Sequence, residues 1–224
     1  MKVHMEQEIL RENEKQAEEN RALFNNLLVV NLIGSPGCGK TTLLEHTAAA
    51  LSGEVRMAVI EGDIYTTKDA ERIEKLGLGV VQVNTAGGCH LSAEITAKAA
   101  HDLDLAHLDI LFIENVGNLV CPAEFDLGED CKVAVLSTVE GDDKPAKYPL
   151  LFREAGAVLL NKCDLLPYTN FNMDSARSDI RGLNADAPIF ELSAAKGEGL
   201  EPWLNWLRAQ LAKKKESRNK LETV

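Results

Sequence analysis

Gly34-Ser35-Pro36-Gly37-Cys38-Gly39-Lys40-Thr41 matches G-x-x-x-x-G-K-[ST] in full and follows the apolar run Leu27-Leu28-Val29-Val30-Asn31-Leu32-Ile33. A strand feeding a glycine loop that opens a helix is the setting in which this pattern cradles phosphates. Gly34, Ser35, Pro36, Gly37, Cys38 and Gly39 let the backbone curl so that several N–H groups face one phosphate chain, and the helix beginning near Lys40 adds its positive end. In this reading Lys40 reaches the β- and γ-phosphates, the Thr41 hydroxyl holds Mg²⁺, and Thr42 adjoins them. The plainer account, a tight glycine turn before a helix, explains neither the lysine nor the hydroxyl.

Outward from this loop the pattern alternates strand and helix. Strands are predicted over 27–33, 55–61, 79–84, 109–114, 132–138, 156–161 and 188–192, and helices over 40–51, 67–76, 91–102, 146–154, 172–183 and 200–213. Segments such as Ile110-Leu111-Phe112-Ile113 and Ala157-Val158-Leu159-Leu160 are continuously apolar, as burial on both faces of a parallel sheet demands. The expected fold is α/β, a P-loop NTPase with a doubly wound, mostly parallel sheet and helices on both faces. Residues 27–212 form this domain. Residues 1–26 are expected to be a helical lead-in that packs weakly on the domain or a partner, or a solvated arm. Residues 213–224, rich in lysine, are expected to be a frayed, disordered tail.

Bulk properties exclude several classes. The formal charge of −11 opposes nucleic acid binding. No apolar stretch approaches the roughly 20 residues that span a bilayer, and the polar N-terminus is no signal peptide. The expectation is a cytoplasmic protein without membrane partners. Its five cysteines then read as reduced thiols or metal ligands, not a disulfide framework.

Asn161-Lys162-Cys163-Asp164 follows an apolar strand about 120 residues beyond the glycine loop. A carboxylate there accepts two hydrogen bonds from guanine N1–H and the exocyclic amine, a donor pair adenine lacks. Lys162 lies along the base and Asn161 braces the loop, while Ser193, Ala194 and Ala195 end another strand and cover the guanine face. The expected ligands are GTP and GDP. Strand 109–114 ends in Glu114-Asn115-Val116-Gly117, where Glu114 contacts Mg²⁺ and the Gly117 N–H approaches the γ-phosphate. No glutamine adjoins Gly117, so the attacking water or Mg²⁺ falls to Asp63, with Asp69 the weaker choice; a helix N-cap is the plainer role for either. With Lys40, Asp63 and Glu114 as its sparse catalytic set, hydrolysis is expected to be slow.

A second chemistry resides in Gly87-Gly88-Cys89-His90 and Cys121-Pro122, two loops at the same sheet edge. Thiolate and imidazole suit Ni²⁺ or Zn²⁺ better than Mg²⁺. Three donors fall short of the four of a closed tetrahedral site, so water or a second subunit completes it. A buried free thiol is the plainer account, and it suffices for Cys38, Cys131 and Cys163. His46, His101 and His107 are expected at the surface.

Taken together, GSPGCGKTT (34–42), EGDIYTTKDAERI (61–73), GGCHL (87–91), IENVGNLVCP (113–122), EGDDKPAKYPLLF (140–152) and NKCDLLPY (161–168) resemble the HypB family, the nickel-insertion GTPases of [NiFe]-hydrogenase maturation. The resemblance covers roughly residues 25–210. It implies that Cys89, His90 and Cys121 bind nickel or zinc at a GTP-dependent homodimer interface, that Lys147 reaches the guanine of the opposite subunit, and that Leu165 lies in the dimer contact. It further implies a HypA-type nickel metallochaperone and the hydrogenase large subunit as partners. The chain lacks the cysteine-rich or histidine-rich N-terminal metal motifs of some members; only His4 precedes His46, and high-affinity nickel storage there is not expected. Two rivals stand beside this reading: a urease-type nickel-insertion GTPase, whose Cys-Pro-His is here Cys121-Pro122-Ala123, and a GTP-dependent binding switch with structural cysteines.

Overall fold

The structure, a computed structural model, describes the backbone of residues 2–63 and 72–222. Helix α1 spans Lys2–Leu23, followed by β1 (Leu28–Gly34), α2 (Lys40–Ala50), β2 (Met57–Asp63), β3 (Gly79–Asn84), α3 (Ala93–Ala100), β4 (Ile110–Glu114), α4 (Cys121–Glu124) and β5 (Cys131–Ser137). Next come α5 (Lys144–Lys147), α6 (Pro149–Glu154), β6 (Ala155–Asn161), α7 (Met173–Leu183), β7 (Ile189–Glu191) and α8 (Leu200–Glu222). All seven expected strands form, within two residues of their predicted ends, each built mainly of apolar and β-branched residues. They build one sheet in the order β3-β2-β4-β1-β5-β6-β7, with every neighbouring pair parallel. The expected "mostly parallel" sheet is therefore wholly parallel.

Side-chain alternation along β1 assigns the helices to faces. Leu28, Val30 and Leu32 pack with Leu43 and Leu44 of α2 and with Trp203, Leu207 and Leu211 of α8. Val29 points the other way, into a cluster with Phe24, Leu91 and Ala99, while Ile33 joins Leu151, Phe152 and Ile180 beyond it. Burying each such aliphatic side chain contributes about 1.5–3 kcal/mol, so the two layers hold the sheet between them. The Trp203 indole N–H donates to Thr47 Oγ1 at 3.0 Å, which satisfies the one polar atom of a fully buried ring.

Three expectations about elements are corrected. The predicted helix 146–154 is split into α5 and α6, because Pro149 lacks an N–H and forces Tyr148 away from helical geometry (φ −124°, ψ 56°). The tail is not frayed at 213, since α8 continues to Glu222. Past Leu211, Lys214 pairs with Asp130 at 2.6 Å and Lys215 with Asp109 at 2.9 Å. Those carboxylates stand before β5 and β4, and good helix-forming residues carry the helix on past the two pairs. At the other end, α1 is neither a loose cover nor a solvated arm: Asn13, Ala17, Asn20 and Phe24, spaced four, three and four, all point inward and are buried. Of the predicted helix 67–76, residues 72–74 are helical, and Asp69 lies outside the described residues. No helix among the described residues is long and apolar enough to cross a membrane.

Candidate functional site

β1, β2, β4 and β6 all deliver their carboxyl ends to one edge, where ligands of open parallel sheets bind. A cavity of about 420 Å³ opens there, lined by Pro36, Gly37, Gly39, Lys40, Thr41 and Thr42, by Glu61, Gly62 and Asp63, by Glu114 to Gly117, and by Arg72 and Lys162. Lys40 is buried, and its ammonium donates to the carbonyls of Gly34 at 3.1 Å and Ser35 at 3.4 Å. The Thr41 hydroxyl donates to Glu114 Oε1 at 2.8 Å, which brings together the two residues expected to hold Mg²⁺. Gly39 stands at φ 102°, and a Cβ there would collide with the Asn161 amide, so the close approach of this loop to β6 requires glycine. Cys38 is buried beneath the loop, and burial pushes its thiol up to about 11, which leaves it inert.

Glu61 carries no role in the sequence reading, yet it belongs to this cavity. β2 and β4 pair so that Glu61 lies beside Glu114, and the two are only 2% and 6% exposed. Two carboxylates buried side by side are unfavourable without a cation, and an all-oxygen set with Thr41 suits Mg²⁺. The residues present therefore fit that ion. The signal was the register of two parallel strands, which pairing alone reveals. Arg72, also unassigned by sequence, donates to Glu45 at 2.6 Å and to Thr42 at 3.1 Å, closing the cavity wall. Asp63 ends β2, half-buried, on the cavity wall where expected.

The residues expected to read the base are assembled as a unit. Asn161 donates to the Cys38 carbonyl at 2.8 Å and accepts from the Lys162 N–H at 2.8 Å and the Ala194 N–H at 3.0 Å, so one amide fixes three loops. Lys162 adopts φ 62° and stretches its ammonium to the Gly37 carbonyl at 2.6 Å, across the glycine loop. Asp164 accepts the Ser193 hydroxyl at 2.6 Å, and Ala194 and Ala195 form the turn that follows. Lys147 stands apart. It is exposed and pairs within its own chain with Asp143, whose carboxyl the hydrogen bonds of Lys147 and Lys144 hold down at about 2. Leu165 lies in the short helical turn Cys163–Tyr168.

Cys89, His90 and Cys121 converge, their ligand atoms all within 4.8 Å of one another. Cys89 Sγ is 3.4 Å from His90 Nδ1, and Asn118 donates to the Cys89 carbonyl at 3.3 Å. Ligands at bond lengths of about 2.0–2.3 Å around one ion need separations of this order. A hydrogen bond from the Cys89 thiol to Cys121 is the main influence raising Cys89, while burial lowers the imidazole of His90 and so keeps a nitrogen lone pair available. The imidazole stacks on Phe125 with centroids 3.8 Å apart. Cys131 and Cys163 are elsewhere, and burial pushes Cys131 up to about 12.

The two sites share backbone. Glu114 and Cys121 bracket one six-residue segment, 115–120. Within it the buried Asn115 accepts from the Leu91 N–H at 3.1 Å and from its own neighbour Val116 at 3.0 Å, and donates to Asn31 at 3.2 Å. Asn31 in turn donates to Glu129 at 3.1 Å. Replacing Asn115 by Ala strands the Leu91 N–H inside the protein, so stability is expected to fall by about 1–3 kcal/mol. A denaturant midpoint equal to that of the parent chain would remove this network from the account.

Residues 28–191 match the family model described as the CobW/HypB/UreG nucleotide-binding domain. Over 210 residues the chain is 53% identical to the hydrogenase maturation factor HypB of Escherichia coli (strain K12), a match covering 93% of this chain and 72% of that one. The crystal structure of HypB from Helicobacter pylori in complex with nickel superposes with a TM-score of 0.85 at 39% identity, over 92% of this chain and 96% of the other. The hydrogenase maturation factor HypB from Archaeoglobus fulgidus gives 0.84 at 35% identity, over 90% and 100%.

Proposed function

The chain belongs to the HypB family of hydrogenase maturation factors, within the CobW/HypB/UreG nucleotide-binding domains, and from that premise we propose that it hydrolyses GTP to control nickel delivery to a [NiFe]-hydrogenase. The observation that carries the proposal is the Cys89–His90–Cys121 cluster, with ligand atoms within 4.8 Å, on segments continuous with the nucleotide cavity. A similar protein has been crystallised with nickel, and the soft donors here suit that ion or Zn²⁺.

In this mechanism the loop of Gly34 to Thr42 wraps the phosphates, and Lys40 turns its ammonium from the Gly34 and Ser35 carbonyls to the β- and γ-phosphates. Thr41, Glu114 and Asp63 would hold Mg²⁺, with Glu61 beside Glu114 on the neighbouring strand. When bound, that ion would neutralise charge that develops on the phosphates. Asp164 exchanges the Ser193 hydroxyl for the guanine donors, Lys162 lies along the base, Asn161 keeps the loop in place, and Ser193, Ala194 and Ala195 close over it. Gly117 offers its N–H to the γ-phosphate. Loss of that phosphate relaxes residues 114–117, and the Asn115–Leu91 bond passes the change to the loop of Cys89 and His90.

Three donors leave a metal with open coordination, which suits cargo that must leave. GTP-dependent pairing of two subunits supplies the missing ligand, with Lys147 and Leu165 at the contact. Nickel then passes to or from a HypA-type metallochaperone and on to the hydrogenase large subunit. Nucleotide and metal are linked reciprocally. Titration of nickel into the protein with GDP and with a non-hydrolysable GTP analogue, together with the dimer mass, tests this. Different affinities in the two states are expected; equal affinities would overturn the coupling. Cys89→Ser with Cys121→Ser is expected to abolish nickel binding while GTP hydrolysis continues. Unchanged nickel binding in that variant would leave the cysteines a structural role only.

A further inference from the structure

Among the described residues, helix α1 does not line the nucleotide cavity, yet its buried polar side chains reach both loops that carry the metal ligands. Asn20 splits its amide between two acceptors, the Ala93 carbonyl at 2.8 Å and the Leu127 carbonyl at 2.9 Å. Asn13, two turns earlier on the same face, accepts from the Ala93 N–H at 2.8 Å and donates to the Asp126 carbonyl at 2.7 Å. Ala93 lies three residues beyond His90, and Asp126 and Leu127 follow Cys121 by five and six. Each asparagine therefore bridges the segment after one half of the metal cluster to the segment after the other half.

The contact is built for closeness. Gly128 stands at φ 84°, and a Cβ there would come within 2.6 Å of Asn20 Cβ and 2.8 Å of the Ala17 carbonyl. Only glycine lets this loop lie directly on the helix. Arg21 adds an ion pair with Asp126 at the rim. From the sheet side, Glu129 accepts from the Leu127 N–H at 2.6 Å and from Asn31, whose partner Asn115 holds Leu91. The two ligand-bearing segments are thus tied together from outside by α1 and from inside by the asparagine chain, with His90 and Phe125 stacked between them.

We propose that Asn13 and Asn20 are positioning residues of the metal site: they clamp the His90–Ala93 and Cys121–Leu127 segments at the separation that lets Cys89, His90 and Cys121 meet on one ion. The inference rests on the metal role assigned to those three residues. Outer partners of this kind typically carry 10–100-fold in metal affinity. The Asn13→Ala, Asn20→Ala double variant of the full chain is therefore expected to bind nickel about 10–100-fold more weakly. Its thiolate-to-nickel absorption band should weaken or shift at matched occupancy. GDP affinity should not change, since no nucleotide contact involves α1. Should the double variant fail to fold, Asn13→Asp carries the test, because it keeps the acceptor for Ala93 and replaces the donor to Asp126 with a carboxylate facing the same carbonyl; weakened nickel binding with intact GDP affinity is expected there too. A folded variant with the nickel affinity and band of the parent overturns the clamp alone, as does a parallel loss of nickel and GDP binding. A parent chain that binds no nickel through Cys89, His90 and Cys121 overturns the clamp and the metal role together.

Discussion

Asp164→Asn is expected to lower GTP affinity by about 10²–10⁴-fold and to confer binding of xanthosine triphosphate. The carboxylate accepts the Ser193 hydroxyl at 2.6 Å and is presented by a loop that Asn161 pins through three hydrogen bonds. With guanine bound it faces two donors, N1–H and the exocyclic amine. Hydrogen bonds to a charged group contribute about 1.5–3 kcal/mol each, and a factor of ten costs about 1.4 kcal/mol. Asparagine keeps one acceptor but turns a donor against the exocyclic amine. Xanthine carries an oxygen at that position, so the same asparagine finds a complementary pair there. Competition binding with both triphosphates measures the exchange. An unaltered preference for GTP would take base recognition away from Asp164.

Lys40→Ala is expected to lower the GTP hydrolysis rate by about 10²–10³-fold, the loss typical of one preorganised donor. The ammonium is held at 3.1 and 3.4 Å from two backbone carbonyls of the glycine loop, poised at the cavity mouth and buried. Without it the cavity keeps Glu61, Asp63 and Glu114 and, among the described residues, Arg72 and Lys162 as its lining cations, so triphosphate binding weakens as well. Nickel titration of the nucleotide-free variant separates the sites. Its affinity should equal that of the parent chain, because Cys89, His90 and Cys121 make no contact with Lys40. Single-turnover hydrolysis at parental rate would remove Lys40 from the chemistry.

How far the sequence carried the fold follows from what each element needs. The strands were legible because parallel strands buried on both faces must be apolar throughout. The glycine loop was legible because its chemistry requires particular residues at particular spacing. Cys89 with His90 and the distant Cys121 could be named from donor softness, and the sheet edge then brings them together. Glu61 was missed, although it sits beside Asp63 in the sequence, because its role arises only when β2 pairs with β4 and sets it against Glu114. Asn13 and Asn20 were missed for a related reason. In a segment rich in Glu, Gln and Asn, two asparagines look solvent-facing, and only their partners 80 and 73 residues away reveal the buried face. The helical tail escaped because Lys214 and Lys215, past the predicted end, are tethered by ion pairs to carboxylates 84 and 106 residues earlier in the chain.

The reach of α1 also sets an order of events during synthesis. The helix precedes the sheet along the chain, so Asn20 must wait for acceptors 73 and then 107 residues later before both hands of its amide are engaged. Contacts of such sequence separation form late, after loop closure has been achieved by the sheet. A nascent chain that has already made Cys89 and His90 thus holds no finished metal pocket. The arrangement of Cys89, His90 and Cys121 is completed only once residue 127 and the surrounding strands are in place.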